Sequence, residues 1–216
     1  MLPAILGTKI GMTRIPDERG CVEAVTVIKA GPCVVLQVKD EPRDGYRAIQ
    51  VGFGDRKPHR STLPMIGHAA KAGTGPKQWL REFRLEGEAD FEPGTVLTVA
   101  SFQEAEVNWV DVSGVTKGRG FAGAMRRHGF GGQPASHGTE RKHRSPGGIG
   151  SSAPRGRGRC VKKGKRMAGH MGHDNVTVKS QRLVKVDVEN GLLLVRGGVP
   201  GPNGGLVVVR KAKTKA

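Results

Sequence analysis

The side chains able to do chemistry in this chain gather between Val115 and His173. These 59 residues hold 14 Lys and Arg (Lys117, Arg119, Arg126, Arg127, Arg141, Lys142, Arg144, Arg155, Arg157, Arg159, Lys162, Lys163, Lys165 and Arg166) against one acid, Glu140. They carry +13 of the formal net charge of +17, whereas the other 157 residues, with 22 bases and 18 acids, carry +4. Five of the seven histidines (His128, His137, His143, His170 and His173) and Cys160 fall in the same stretch. Nine of the 14 bases are arginine, whose planar fork suits bidentate contact with phosphate oxygens. Histidines in such company donate hydrogen bonds to phosphates or stack on bases. The chemistry indicated is polyanion binding.

Other chemistries lack parts. No nucleophile is paired with a base and an orienting acid, and one carboxylate cannot make an acid/base pair, so the stretch offers no catalytic scheme. Gly118-Arg119-Gly120-Phe121-Ala122-Gly123 fits the dinucleotide fingerprint, and Glu140 follows it by about 20 residues. The fingerprint needs a helix of ten or more residues and then a buried parallel strand, yet Met125-Arg126-Arg127-His128 runs straight into Gly129 and Gly131-Gly132-Gln133-Pro134. Gly164-Lys165-Arg166 resembles the end of a phosphate-binding Walker loop, but Arg159 stands where its first glycine belongs and Arg166 where its magnesium-holding hydroxyl belongs. One cysteine with His170-x-x-His173 does not supply four convergent zinc ligands. No cofactor and no metal are expected.

The elements that must position these residues lie on either side. The basic stretch has 15 glycines and, methionines aside, only five large apolar residues (Val115, Phe121, Phe130, Ile149 and Val161), too few to build a core, so the chain there should be disordered unless a partner orders it. Outside it, Val22–Lys29, Cys33–Lys39 and Tyr46–Phe53 are short β-branched runs punctuated by Gly31-Pro32 and Asp44-Gly45 turns. Thr95–Ala100 and Val107–Val112 continue the pattern. It resumes with Asn175–Val178, Leu183–Val188, Leu192–Arg196 and Leu206–Arg210, with Glu189-Asn190-Gly191 as a hairpin signal. Many short strands favour a small closed barrel, with one short helix around Pro64–Ala72. Residues 1–114 and 174–216 are expected to close one discontinuous body, and residues 115–173 to leave and return as one long functional excursion.

Composition narrows the partner. A sequence pI near 10.5 points to nucleic acid or an anionic membrane. No apolar run approaches the ~20 residues of a membrane span, and the basic stretch lacks the Trp/Leu face of an interfacial helix. RNA is favoured over DNA, since no helix-turn-helix, zinc finger or basic zipper is visible and irregular basic segments read folded RNA by shape and backbone. Phe121 and Phe130 are the only Phe, Tyr or Trp able to stack bases within the stretch, so phosphates should supply most of the affinity. A solvated charged tail is the bland alternative; the internal position, the interleaved glycines and Pro134, Pro146 and Pro154 argue against it. The N-terminus shows neither a secretion signal nor a transit pattern, so the chain is expected to work where it is made. Cys21, Cys33 and Cys160, without C-x-x-C pairs, are expected to be reduced thiols, Cys21 and Cys33 as buried or half-buried fillers.

Six motifs in one order then resemble a known family: Ile5-Leu6-Gly7-Thr8-Lys9-Ile10-Gly11-Met12-Thr13, Asp44-Gly45-Tyr46-Arg47-Ala48-Ile49-Gln50-Val51, Lys117 to Gly123, Ser136-His137-Gly138, His143-Arg144-Ser145-Pro146-Gly147 and Gly164 to Gly172. Val199-Pro200-Gly201-Pro202-Asn203-Gly204-Gly205 also fits. Together they resemble the bacterial-type large-subunit ribosomal protein L-three family. The resemblance implies a mainly β fold, a translation-protein-type β-barrel with a long, irregular, glycine-rich basic extension and few short helices. It implies a structural constituent of the large ribosomal subunit, not an enzyme and not a homo-oligomer. Such a protein binds the 3′-terminal domain of the large rRNA, nucleates early assembly and supports the peptidyl transferase centre.

The residues matched to rRNA binding are Lys117, Arg119, Arg126, Arg127, His128, His137, Arg141, Lys142, His143, Arg144, Arg155, Arg157, Arg159, Lys162, Lys163, Lys165, Arg166 and His170. Arg144, Gly147, Gly148, Ile149, Gly150, Ser151, Ser152, Ala153 and Pro154 would form the tip nearest that centre. Neighbours of the L-thirteen, L-fourteen, L-seventeen and L-nineteen families are implied, in the ribosomes of a bacterial cytosol or an organelle matrix. Bacterial members commonly carry Gly-Ser-Ile-Gly-Gln at the tip, with a glutamine that can be N5-methylated. Here Gly147-Gly148-Ile149-Gly150 ends on Ser151, which cannot carry that modification. A free RNA-binding protein or RNA chaperone outside the ribosome is the alternative.

Overall fold

The computed structural model describes residues 4–17, 20–85, 91–150 and 161–215. The chain runs through β1 (Ala4–Pro16), β2 (Val22–Ala30), β3 (Cys33–Lys39), α1 (Glu41–Asp44), β4 (Ala48–Asp55), α2 (Leu63–Ala70), β5 (Lys77–Arg84), β6 (Val96–Leu97), α3 (Ala100–Glu104) and β7 (Trp109–Val115). It continues with β8 (Phe121–Ala122), α4 (Ala124–His128), β9 (Gly169–His170), β10 (Asn175–Asp187), β11 (Leu192–Arg196) and β12 (Leu206–Lys211). Two compact units result, one from Met1–Val115 with Asn175–Ala216 and the other from Thr116–Asp174.

In the first unit six antiparallel strands close a ring in the order β1, β12, β7, β10, β11 and β2, the small barrel expected from the strand pattern. A four-stranded sheet, β5-β4-β3-β6, completes it. One apolar core serves both: Ile5, Ile28, Val112, Leu193, Val195 and Val209 from the ring meet Val35, Val51 and Phe83 from the sheet, with Phe102 of α3 fully buried among them. The continuous apolar start of β3 reflects burial on both faces. Cys33 and Val35 belong to this core, while Val34 and Leu36 join a second cluster with Ala72, just past α2.

Several elements depart from sequence expectation. The longest strands include β1, which the strand pattern did not single out because Gly7, Lys9 and Gly11 interrupt its apolar run. Gly7 is there because β2 passes close by: a Cβ would lie 2.6 Å from the Lys29 carbonyl oxygen. Lys9 is buried and donates from Nζ to the Val199 carbonyl at 2.9 Å and the Gly201 carbonyl at 3.4 Å, tying β1 to the Val199–Gly205 segment. β5 was also missed, since its polar sequence alternates weakly; Phe83 and Trp79 settle it, Trp79 stacking on Phe53 at 5.7 Å. Asn175–Val178 and Leu183–Asp187 belong to one strand, β10, whose pairing shifts between Val178 and Gln181, with Ser180 at φ 52; Val188 already lies in the turn that follows. Thr95–Ala100 pairs only at Val96 and Leu97 before α3 begins. Cys33 is buried as expected, but Cys21 is exposed, because it precedes the part of β2 that packs inward.

Candidate nucleic-acid interface

The excursion opens where two paired strands end, since Val115 of β7 is the register partner of Asn175 of β10. Beyond them the two limbs are bound by backbone. The Thr116 N–H donates to the Asp174 carbonyl at 2.9 Å, and the Asp174 N–H donates to Thr116 Oγ1 at 3.2 Å. Arg119 N–H donates to the Met171 carbonyl and Met171 N–H to the Gly120 carbonyl, both at 2.9 Å, and β8 then pairs with β9. Gly172, at φ 76, is required here, for a Cβ would fall on the Lys117 carbonyl oxygen.

α4 follows and stops at Gly129, whose φ is 72 and whose N–H donates to the Met125 carbonyl. From this short helix Arg127 Nη1 donates to the Met167 carbonyl at 2.9 Å, and His128 Nε2 lies 3.0 Å from the same oxygen. These two predicted contact residues therefore also clamp the limbs together. Farther out, Gln133 N–H donates to the His143 carbonyl at 2.9 Å, and His143 Nδ1 lies 3.0 Å from the Pro134 carbonyl. Gly164, at φ 80, sits in a turn in which Lys165 N–H donates to the Lys162 carbonyl at 3.2 Å. The composition predicts disorder without a partner, yet the described part has this local order; it rests on hydrogen bonds and tight turns, with Ala122 and Ala124 its only buried apolar residues among those described.

The electrostatics of this unit are one-sided. Lys117, Arg119, Arg126, Arg127, Arg141, Lys142, Arg144, Lys162, Lys163, Lys165 and Arg166 are all exposed, as are His137, His143 and His170, while His128 is half-buried. Among the described residues none of these bases forms an ion pair; every ion pair lies in the barrel unit, at Glu82, Glu41, Asp55 and Glu23. His137 and Arg141 take left-handed backbone angles, φ 60 and 55, in the turn that presents them. Phe121 is 80% exposed, open to stacking, and its register partner is His170. Phe130 is half-buried and tilts against His128 at 6.0 Å. Of the expected tip, Arg144, Gly147, Gly148, Ile149 and Gly150 are exposed; Ser151, Ser152, Ala153 and Pro154, with Arg155, Arg157, Arg159 and Cys160, lie outside the described residues.

The fingerprint Gly118–Gly123 forms a loop and the β8 hairpin strand, then a five-residue helix, which is no dinucleotide fold. Among the described residues no three of His, Cys, Asp and Glu gather as a metal site. A second basic group, not apparent from the sequence pattern, is Arg56, Lys57, His59 and Arg60 around the 3₁₀ turn Pro58–Arg60 of the barrel unit; all four are exposed and form no ion pair with a described residue. Their clustering beside Pro58 was the available signal, hidden by the larger basic stretch.

A barrel that carries a glycine-rich basic unit with almost no counter-charge of its own has the make-up of a class, the nucleic-acid scaffold proteins, whose affinity rests on phosphate contacts. Comparison with known proteins narrows it. The family profile described as Ribosomal protein L3 matches residues 84–190. Large ribosomal subunit protein uL3 of Corynebacterium jeikeium is 50% identical over 211 residues, covering 98% of this chain and 94% of the relative. The uL3 proteins of Acidothermus cellulolyticus and Cutibacterium acnes are 52% and 49% identical, covering 96% and 98% of this chain and 91% and 93% of themselves. The chain belongs to the ribosomal protein L3 family, a family of ribosomal proteins and not of enzymes. The resemblance read from its motifs thus holds along nearly the whole chain.

Proposed function

We propose that this protein is a structural constituent of the large ribosomal subunit, binding the 3′-terminal domain of large-subunit rRNA through residues 115–173 and the barrel beside them. It nucleates early assembly and supports the peptidyl transferase centre from the tip of that extension, without performing its chemistry. The observation that supports this best is the set of exposed lysines and arginines in the second unit, none with a carboxylate partner among the described residues. Such charges stay available to phosphates, and bare glycine backbone between them lets RNA approach closely. The contact residues are the described bases and histidines named above together with Arg155, Arg157 and Arg159. Arg127 and His128 combine RNA contact with their hold on Met167.

Proteins of the L-thirteen, L-fourteen, L-seventeen and L-nineteen families are the neighbours this seat implies, and the ribosome of the cytoplasm is its place. No helix among the described residues is long and apolar enough to cross a membrane. The test is sedimentation of lysate through a high-salt sucrose gradient, comparing the full chain with a variant lacking Val115–His173. The full chain should travel with large-subunit particles and the variant should be lost from them or held in lighter precursors. Full-length protein remaining at the top of the gradient overturns the proposal in favour of a free RNA-binding protein.

A further inference from the structure

Within the second unit the loop from Gly132 to Gly147 borders a shallow, solvent-open depression of about 540 Å³, lined among others by Gln133, Gly138, Glu140, Lys142, Ser145 and Gly147. A depression this open can hold one flat face or edge of a ligand without burying it. Its lining is unlike the rest of the unit. Glu140 is the one acid between Val115 and His173, and it sits beside Arg141 and Lys142 in sequence without forming an ion pair or hydrogen bond with any described residue. A carboxylate with no partner among the described residues, set in a surface rich in bases, disfavours phosphate beside it and can accept from neutral donors instead. The unpaired Watson–Crick edge of a base offers one.

Resting on the RNA-binding reading above, we propose that this depression receives a single unstacked guanine of the bound RNA. Guanine presents N1–H and N2–H₂ side by side, two donors that match the two oxygens of one carboxylate, and Glu140 accepts both. Its O6 and N7 acceptors meet the donors of Lys142 and the Gln133 amide, which stand at the same depression. Gly138 and Gly147 leave peptide backbone uncovered along the wall: a Cβ on Gly138 would meet nothing within 4 Å, and one on Gly147 would come to 3.9 Å from Gln133 Nε2. The loop is held by the Gln133 N–H to His143 carbonyl bond and by Ser145 N–H donating to the Lys142 carbonyl at 3.0 Å, so the wall exists before the base arrives. The second unit would then add one point of sequence readout to a surface that otherwise binds charge.

The experiment uses the full chain and short RNA hairpins that differ at one looped-out nucleotide, guanine, inosine or adenine, with wild type compared to Glu140→Gln and Glu140→Ala. Wild type should favour guanine over adenine on the order of tenfold, with inosine, which lacks the N2 amino group, between them. Both variants should lose that preference while binding the adenine hairpin more tightly, because a negative charge has left a basic surface. Since Glu140 is exposed, neither substitution disturbs packing. Equal affinity of wild type for all three hairpins, or a guanine preference that survives in both variants, overturns the proposal while leaving RNA binding intact. Absence of salt-dependent binding to every hairpin overturns the RNA-binding reading itself, and this one with it.

Discussion

The two units solve opposite problems. The barrel unit pairs part of its charge internally, with Lys39 and Tyr46 on Glu82, Lys77 on Asp55, and Arg182 and Arg196 on Glu23, and it buries a core that runs from Ile5 to Val209. Among its described residues the extension unit buries only two alanines, and none of its described bases forms an ion pair. One part rests on a buried apolar core. The other is held by backbone hydrogen bonds and a few side-chain contacts to carbonyls, at Arg127, His128 and His143, and leaves most of its described bases open to a partner.

The widest test of this contrast removes Val115–His173 and closes β7 to β10 with a tight turn, since their ends are already in register. The barrel should keep its β-sheet circular dichroism, while RNA binding loses its salt dependence. For a full chain neutralising six to ten phosphates, that dependence amounts to roughly 10³–10⁵ in affinity between 50 and 200 mM salt. Phe102→Ala probes the other side: it empties a fully buried position and should cost about 3–5 kcal/mol in denaturant unfolding, with the salt slope of RNA binding unchanged in the folded fraction. An equal loss of slope would mean that the two parts are not energetically separable.

Smaller changes sharpen the contrast. Arg144→Ala should lower the salt slope by about one and weaken RNA binding uniformly across sequences, leaving the melting temperature where it was. Thiol labelling separates inside from outside in a Cys160→Ser background. Cys33, buried and donating to the Leu6 carbonyl, has its thiol pushed up to about 11 by that burial and should resist reagent in the native state, whereas exposed Cys21 reacts at once.

The smallest effect concerns Glu82, held below the usual carboxylate range first by the hydrogen bond from Lys39 and then by that from Tyr46. Because its folded pKa is lowered, this stabilisation is complete above the ordinary unfolded value, roughly 4.3, and fades as pH falls through the folded one. Glu82→Gln should therefore destabilise by about 1 kcal/mol or less at neutral pH, and wild type and variant should converge in melting temperature on acidification.

Much of this was legible in the residues. Composition marked the extension because a count of charges and glycines needs no coordinates, and the β-branched runs at Cys33–Lys39 and Leu192–Arg196 became strands with those bounds. β1 was not legible as a strand, since glycines that look like breaks are there for close approach, and only the position of β2 gives Gly7 that meaning. The site divides in the same way. Sequence named the bases that could meet phosphates, but it could not see that Arg127 and His128 also hold Met167 or that Glu140 lines a depression.

By itself the sequence determined where the positive charge and the glycines concentrate, and the family, because charge, glycine content and ordered motifs are properties of the chain read in one dimension. Only the tertiary structure decided which strands close the ring, which bases also brace the extension, and that Glu140 lines a surface depression. Those depend on pairing between residues distant along the chain, such as Lys9 with Val199 and Arg127 with Met167, and no local pattern encodes such meetings.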